Sequence, residues 1–211
     1  MNESISFENW ISRVFDHPED PANMHRSADF WIDDKTRAAA LLAETFSRAA
    51  EYAPRFSDRQ LETGLWLLLG EGYAAEAMRG TVPLERRTAL VRSTRRLFET
   101  LFAVRCPDLD FGGNDPLYRV CYMFWELFPN GSKAPENELS VLREERFEAL
   151  EAILAINNAM CQYSALHGLG HLQFKDAARV ERIIDRYLAE HPEPGFVLRE
   201  YALDARRGDV Q

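Results

Sequence analysis

Cysteine is scarce. The chain has three in 211 residues, Cys106, Cys121 and Cys161, with no CxxC spacing. An odd number without that spacing builds no disulfide framework and fits a reducing compartment. Long apolar runs are also missing. The densest, Leu65 to Leu69, ends at Gly70 after five residues, whereas a membrane span needs roughly 20. The first fifteen residues carry Glu3 and Glu8 and lack the basic start and apolar core of a secretion signal. Period-2 alternation is not sustained anywhere, so strands are not expected. Positive charge is in deficit, with 25 basic against 34 acidic residues, a net charge of −9 and a pI near 5.1. That balance argues against nucleic acid or an anionic membrane as partner and suits a basic protein partner. Together these absences predict a cytoplasmic protein that binds neither nucleic acid nor membrane.

What is present is helical periodicity along nearly the whole chain. Apolar residues make up 46% and charged residues 28%, the balance of a globular domain able to bury a core over residues 1–211. Ser6 can cap a helix over residues 7–15, which His17-Pro18 stops. Asp34 can cap a second over residues 35–52, and Ser57 with Gln60 forms a capping-box pattern that opens a third, with Gly80 as its C-cap. The next helix, starting at Thr81 and Pro83, buries Leu90, Val91, Leu97 and Phe98 and shows Arg86, Arg87, Arg92, Arg95 and Arg96 as a solvated basic stripe. Asp115-Pro116 is a cap-and-start pair for the most aromatic stretch, Tyr118 to Phe128. After the break at Pro129-Asn130-Gly131, four more helices are predicted over residues 139–156, 158–172, 176–190 and 196–205, the third of them capped by Asp176. The total is eight or nine helices with no strand, an all-α fold of antiparallel hairpins. A subdivision into residues 1–131 and 138–208 falls at the polar linker after Gly131.

Two motifs resemble helical repeats. Trp66-Leu67-Leu68-Leu69-Gly70-Glu71-Gly72-Tyr73 matches the opening W-x2-L-G-x2-Y of the tetratricopeptide signature, without its second half. Gln162-Tyr163-Ser164-Ala165-Leu166-His167-Gly168-Leu169-Gly170-His171-Leu172 resembles the inner helix of HEAT-like repeats. The resemblance covers about 70 residues at the C-terminal end. It implies an α-solenoid, a superhelix of stacked hairpins whose concave face binds other macromolecules.

Few residues carry chemistry. His167 and His171, four apart, project from one helix face and could share a zinc or nickel ion. The residues between them are Gly-Leu-Gly, so the glutamate base of an H-E-x-x-H helix is absent, and Cys161 lies off that face. The pair is therefore expected to serve packing or a polar surface with Gln162, with no metal and no cofactor. Glycines at 168 and 170 are costly in a helix, about 1 kcal/mol each against alanine; close approach of a neighbouring helix explains them. Asp108, Asp110, Asn114 and Asp115 fall short of a calcium loop and read as turn and cap residues. Glu144 and Glu145, being adjacent, point apart and form no acid/base pair. Phe30-Trp31, set between polar neighbours, is a candidate anchor or inter-helix plug.

The expected function is accordingly non-enzymatic: a protein-binding or scaffold module with an acidic surface, of which a bacterial immunity or antitoxin-type protein is one version. Two alternatives have sequence support. One is a small helical metal-dependent hydrolase built on His167 and His171. The other is a ligand-binding bundle with an aromatic pocket near Tyr118 to Phe128.

Overall fold

The computed structural model describes residues 5–17, 32–70, 72–106, 109, 115–131 and 133–210. In chain order the helices are α1 (Phe7–Phe15), α2 (Lys35–Ser47), α3 (Ala49–Tyr52), α4 (Asp58–Gly70), α5 (Tyr73–Ala77), α6 (Leu84–Leu97), α7 (Ala103–Arg105), α8 (Pro116–Leu127), α9 (Glu136–Leu154), α10 (Ala159–Leu172), α11 (Ala177–Glu190) and α12 (Phe196–Arg207). A 3-10 turn, Ala53–Arg55, follows α3, and a π turn, Phe98–Phe102, joins α6 to α7. No strand occurs among the described residues, and no helix there is long and apolar enough to cross a membrane.

The helix starts follow the expected chemistry. Ser6, Asp34, Asp115 and Asp176 each accept a hydrogen bond from a backbone N–H of the first turn, filling donors that the helix itself leaves unbonded. Ser57 and Gln60 form the reciprocal box, Gln60 N–H to Ser57 Oγ at 3.2 Å and Ser57 N–H to Gln60 Oε1 at 3.0 Å. The helices outnumber the expected eight or nine because three predicted ones are divided, one of them by the π turn between α6 and α7. The segment over residues 35–52 breaks at Arg48 into α2 and α3. The one after Ser57 breaks at Gly72, whose φ of +87° a residue with a side chain rarely adopts, giving α4 and α5. Gly80 is no C-cap; a Cβ there would lie 2.7 Å from the Lys133 carbonyl oxygen, so it serves a close approach between main chains.

Packing joins helices distant in the chain as well as neighbours. α2 packs most heavily on α6, α6 on α9, α4 on α8, and α10 on α8, α9 and α12. The all-α class is what the structure shows; the HEAT-like superhelix stays an expectation for the C-terminal third, where α9 packs on α10 and α11 on α12. The aromatic stretch of α8 is packed core, with Phe124 and Trp125 against Phe98 at 5.2 and 6.1 Å between ring centres. At the other end, α1 buries Trp10, Ile11, Val14 and Phe15, and the Trp10 indole N–H donates to Thr45 Oγ1 at 2.9 Å.

The basic stripe of α6 is solvent-exposed at Arg86, Arg92, Arg95 and Arg96, as expected, but not at Arg87. Arg87 is fully buried and pairs with Glu138 while its Nε–H donates to the Val82 carbonyl. Arg92 pairs with Glu145, itself buried, and Arg95 and Arg96 share Glu99. Glu138 and Glu145 of α9 thus pair with Arg87 and Arg92, which the sequence of α6 alone does not reveal.

Candidate functional site

Among the described helices, α10 is the most enclosed in its middle. From Cys161 to Gly170 only Tyr163 is more than marginally accessible. Its glycines explain how it fits there. A Cβ on Gly168 would sit 2.6 Å from Leu150 Cδ2 and 2.8 Å from Trp125 Cγ, and one on Gly170 would sit 2.6 Å from the Val210 methyls. α8 can therefore approach α10 closely, and two rows of side chains spaced four apart come face to face: Tyr118, Tyr122 and Glu126 on α8, and Tyr163, His167 and His171 on α10.

Where the rows meet, three ionisable groups converge. His167, 0% exposed, has its Nε2 3.0 Å from His171 Nε2 and 3.7 Å from the Glu126 carboxylate. One ligand atom from each of Glu126, His167 and His171 lies within 4.8 Å of the others. The far side of His167 is held as well. Its Nδ1 is 2.6 Å from the Tyr201 hydroxyl, which lies 3.2 Å from the Tyr122 hydroxyl. The Tyr201 ring stacks on Tyr163 with centres 4.0 Å apart, which fixes the hydroxyl from the α12 side. An Nδ1–H donating to Tyr201 leaves the Nε2 lone pair of His167 facing Glu126 and His171.

Burial and the neighbouring His171 push His167 down to about 4, and burial lowers His171 too. Both imidazoles are neutral at neutral pH, the form that ligates metal. Glu126, by contrast, has a side chain 48% exposed and links the cluster to solvent.

The lowered values make the fold pH-sensitive in a defined direction. In the unfolded chain each imidazole takes a proton near pH 6.5, while in the folded chain it does so only at lower pH. Stability present above pH 6.5 is therefore lost as pH falls toward the folded value. Metal-free protein should lose about 1.4 kcal/mol between about pH 7.5 and 5.5 through His167, with His171 adding in the same direction, read from urea unfolding midpoints. Replacing both histidines by glutamine should flatten that slope; an equal slope in the double variant would contradict it.

Of the residues singled out from sequence, His167 and His171 are brought together, but Gln162 does not join them. It turns toward α11, its Oε1 accepting from the Tyr187 hydroxyl at 3.1 Å and its Nε2 donating to the Ile156 carbonyl. Phe30 and Trp31 lie outside the described residues, as do Asp108, Asp110 and Asn114 of the predicted loop. Cys161 is fully buried, and burial pushes its thiol well up, as for a packed core thiol. Glu126, Tyr122 and Tyr201 were missed. The signal for Glu126 was available: it is the one carboxylate in α8, four residues after Tyr122. Nothing in the sequence indicates that Tyr201, 34 residues beyond His167, returns to it.

Comparison with known proteins adds no relative: no protein-family model, curated protein or solved structure matches the chain.

Proposed function

We propose that Glu126, His167 and His171 hold one divalent metal ion and that the protein is a metal-dependent enzyme of the hydrolytic kind. The observation that carries this reading is the convergence of two neutral imidazoles and a carboxylate. Two nitrogens each about 2.1 Å from one ion stand about 3.0 to 3.4 Å apart at the angles usual for such ions, and the two Nε2 atoms stand 3.0 Å apart. The contact from Tyr201 to His167 Nδ1 is the outer support that orients a ligating histidine and fixes its tautomer. Two histidines and one carboxylate leave coordination positions for water and substrate, the arrangement of a catalytic rather than a purely structural ion. The chemistry an ion such as zinc supplies is a bound water acidified to near-neutral pH and a polarised carbonyl or phosphoryl group.

The test is turnover of a panel of aryl esters, N-acyl amino acids and phosphate monoesters by zinc-, manganese- and cobalt-loaded protein. At least one class should be hydrolysed, with activity lost on chelation and in His167→Ala. No turnover of any class, or turnover indifferent to chelator, would overturn the enzymatic reading.

A protein-binding module with an acidic surface is the second reading. It draws on Phe196 and Val197, 79% and 41% exposed in the first turn of α12, since exposed apolar side chains of this size mark contact surfaces when they cluster. It predicts capture of a basic protein partner that charge reversal of an acidic surface patch abolishes.

A further inference from the structure

Beside the three ligands, His171 also forms part of the wall of a cavity of about 300 Å³ between the end of α8, the start of α9 and the end of α10. That volume suits a small ligand. Much of its wall is apolar, Phe128, Leu139 and Leu142 among it, and Phe174, 74% exposed, stands at its edge. Its charges run against the rest of the molecule. In a chain of net charge −9 the wall holds Arg143, Arg146 and Lys175 against a single acid, Glu136. Glu136 is itself 79% exposed and only 3.8 Å from Arg143, a loose surface pair.

Arg146 is the informative residue. It is 5% exposed and pairs with no carboxylate among the described residues. Its Nη1 donates to the Phe128 carbonyl and to Asn130 Oδ1, and its Nη2 donates to the Trp125 carbonyl. A guanidinium carries five N–H donors, so three are filled. The two left over are one on Nη2 and the Nε–H, and Nε is buried without an acceptor. Burying a cation with spare donors beside an apolar cavity is unfavourable unless an anion completes it. A carboxylate matches a pair of guanidinium donors better than any neutral group does.

We propose that this cavity binds a small amphipathic carboxylate, its apolar body against Leu139, Leu142 and Phe128 and its carboxylate on Arg146 and Arg143. As an assignment of substrate class for the metal site it rests on the proposed function; as a binding site it stands without the metal. A neutral apolar molecule leaves the spare donors of Arg146 unfilled, and a cation meets three like charges.

The probe is decanoate, titrated calorimetrically into chelator-treated protein, with decanol and inorganic phosphate as comparisons. Decanoate should bind with one-site saturation, and decanol about tenfold or more weaker, the difference a charge-assisted pair makes. Arg146→Met should abolish the preference. Because that variant can also unfold, Arg143→Gln with Lys175→Gln gives a second reading at accessible positions. That pair should weaken decanoate severalfold while leaving decanol binding and the melting temperature unchanged. Equal binding of decanoate and decanol, no binding of either, phosphate binding in place of decanoate, or an unaffected double variant would each overturn the proposal. Since the titration uses metal-free protein, decanoate binding in a protein that never takes up metal would sink the metal reading and leave the cavity assignment standing.

Discussion

Alanine at position 168 is expected to destabilise the fold by about 2 kcal/mol, the overpacking penalty less the gain from replacing a helical glycine. The added methyl group meets Leu150 Cδ2 at 2.6 Å and Trp125 Cγ at 2.8 Å. Leu150 can give way by changing rotamer, but the Trp125 ring cannot. It is 1% exposed, packed on Phe98, Phe124 and Phe128, with the Arg146 guanidinium 5.0 Å from its centre. The consequence reaches the site, because moving Trp125 moves its neighbour Glu126 on α8. Gly70→Ala is the control: its Cβ meets only Trp66 Cε3 at 3.7 Å, an ordinary contact, and it should be neutral or mildly stabilising. Urea unfolding of the two variants checks the difference, and equal stabilities would show that α8 and α10 can separate without penalty.

The second large effect concerns the ligands. His167→Ala and His171→Ala should each weaken divalent-metal binding by more than about 100-fold, and Tyr201→Phe by about tenfold, the range expected when a ligand loses its outer support. Tyr201→Phe keeps the ring stacked on Tyr163 and removes only the hydroxyl hydrogen-bonded to His167 Nδ1. A graded order, ligand loss above support loss, is the mark of a built site. Competition titration against a chromophoric chelator measures it. Equal affinities in wild type and Tyr201→Phe would mean that the tyrosine network serves packing alone.

How much of this was legible in the sequence depends on the range of the interaction. Caps were readable because Ser6, Asp34, Asp115 and Asp176 act on N–H groups two or three residues away. The glycines of α10 were readable as sites of close approach, since nothing else offsets their helix penalty, although the ring they admit could not be named. Breaks at Arg48 and Gly72 were not readable from an apolar pattern that continues across them. The burial of Arg87 was missed because an arginine in a row of arginines reads as surface until Glu138, 51 residues on, is placed beside it. The site followed the same rule. Two histidines four apart declare a shared face, whereas their third partner lies on α8, 41 positions before His167. Gln162 was grouped with the histidines by proximity in sequence. Five residues along a helix is nearly half a turn away in direction, which is why it bonds to Tyr187 instead.

Metal binding itself is the claim on which the proposed function stands. Cobalt(II) titrated into chelator-treated wild-type protein, followed by visible absorption, reports ligand set and stoichiometry together. One equivalent should saturate and give the spectrum of a low-symmetry site with two nitrogen ligands and carboxylate, absent in His171→Ala. Featureless spectra without saturation, or an unchanged spectrum in His171→Ala, would mean that Glu126, His167 and His171 are no more than a buried hydrogen-bonded pair beside a surface carboxylate.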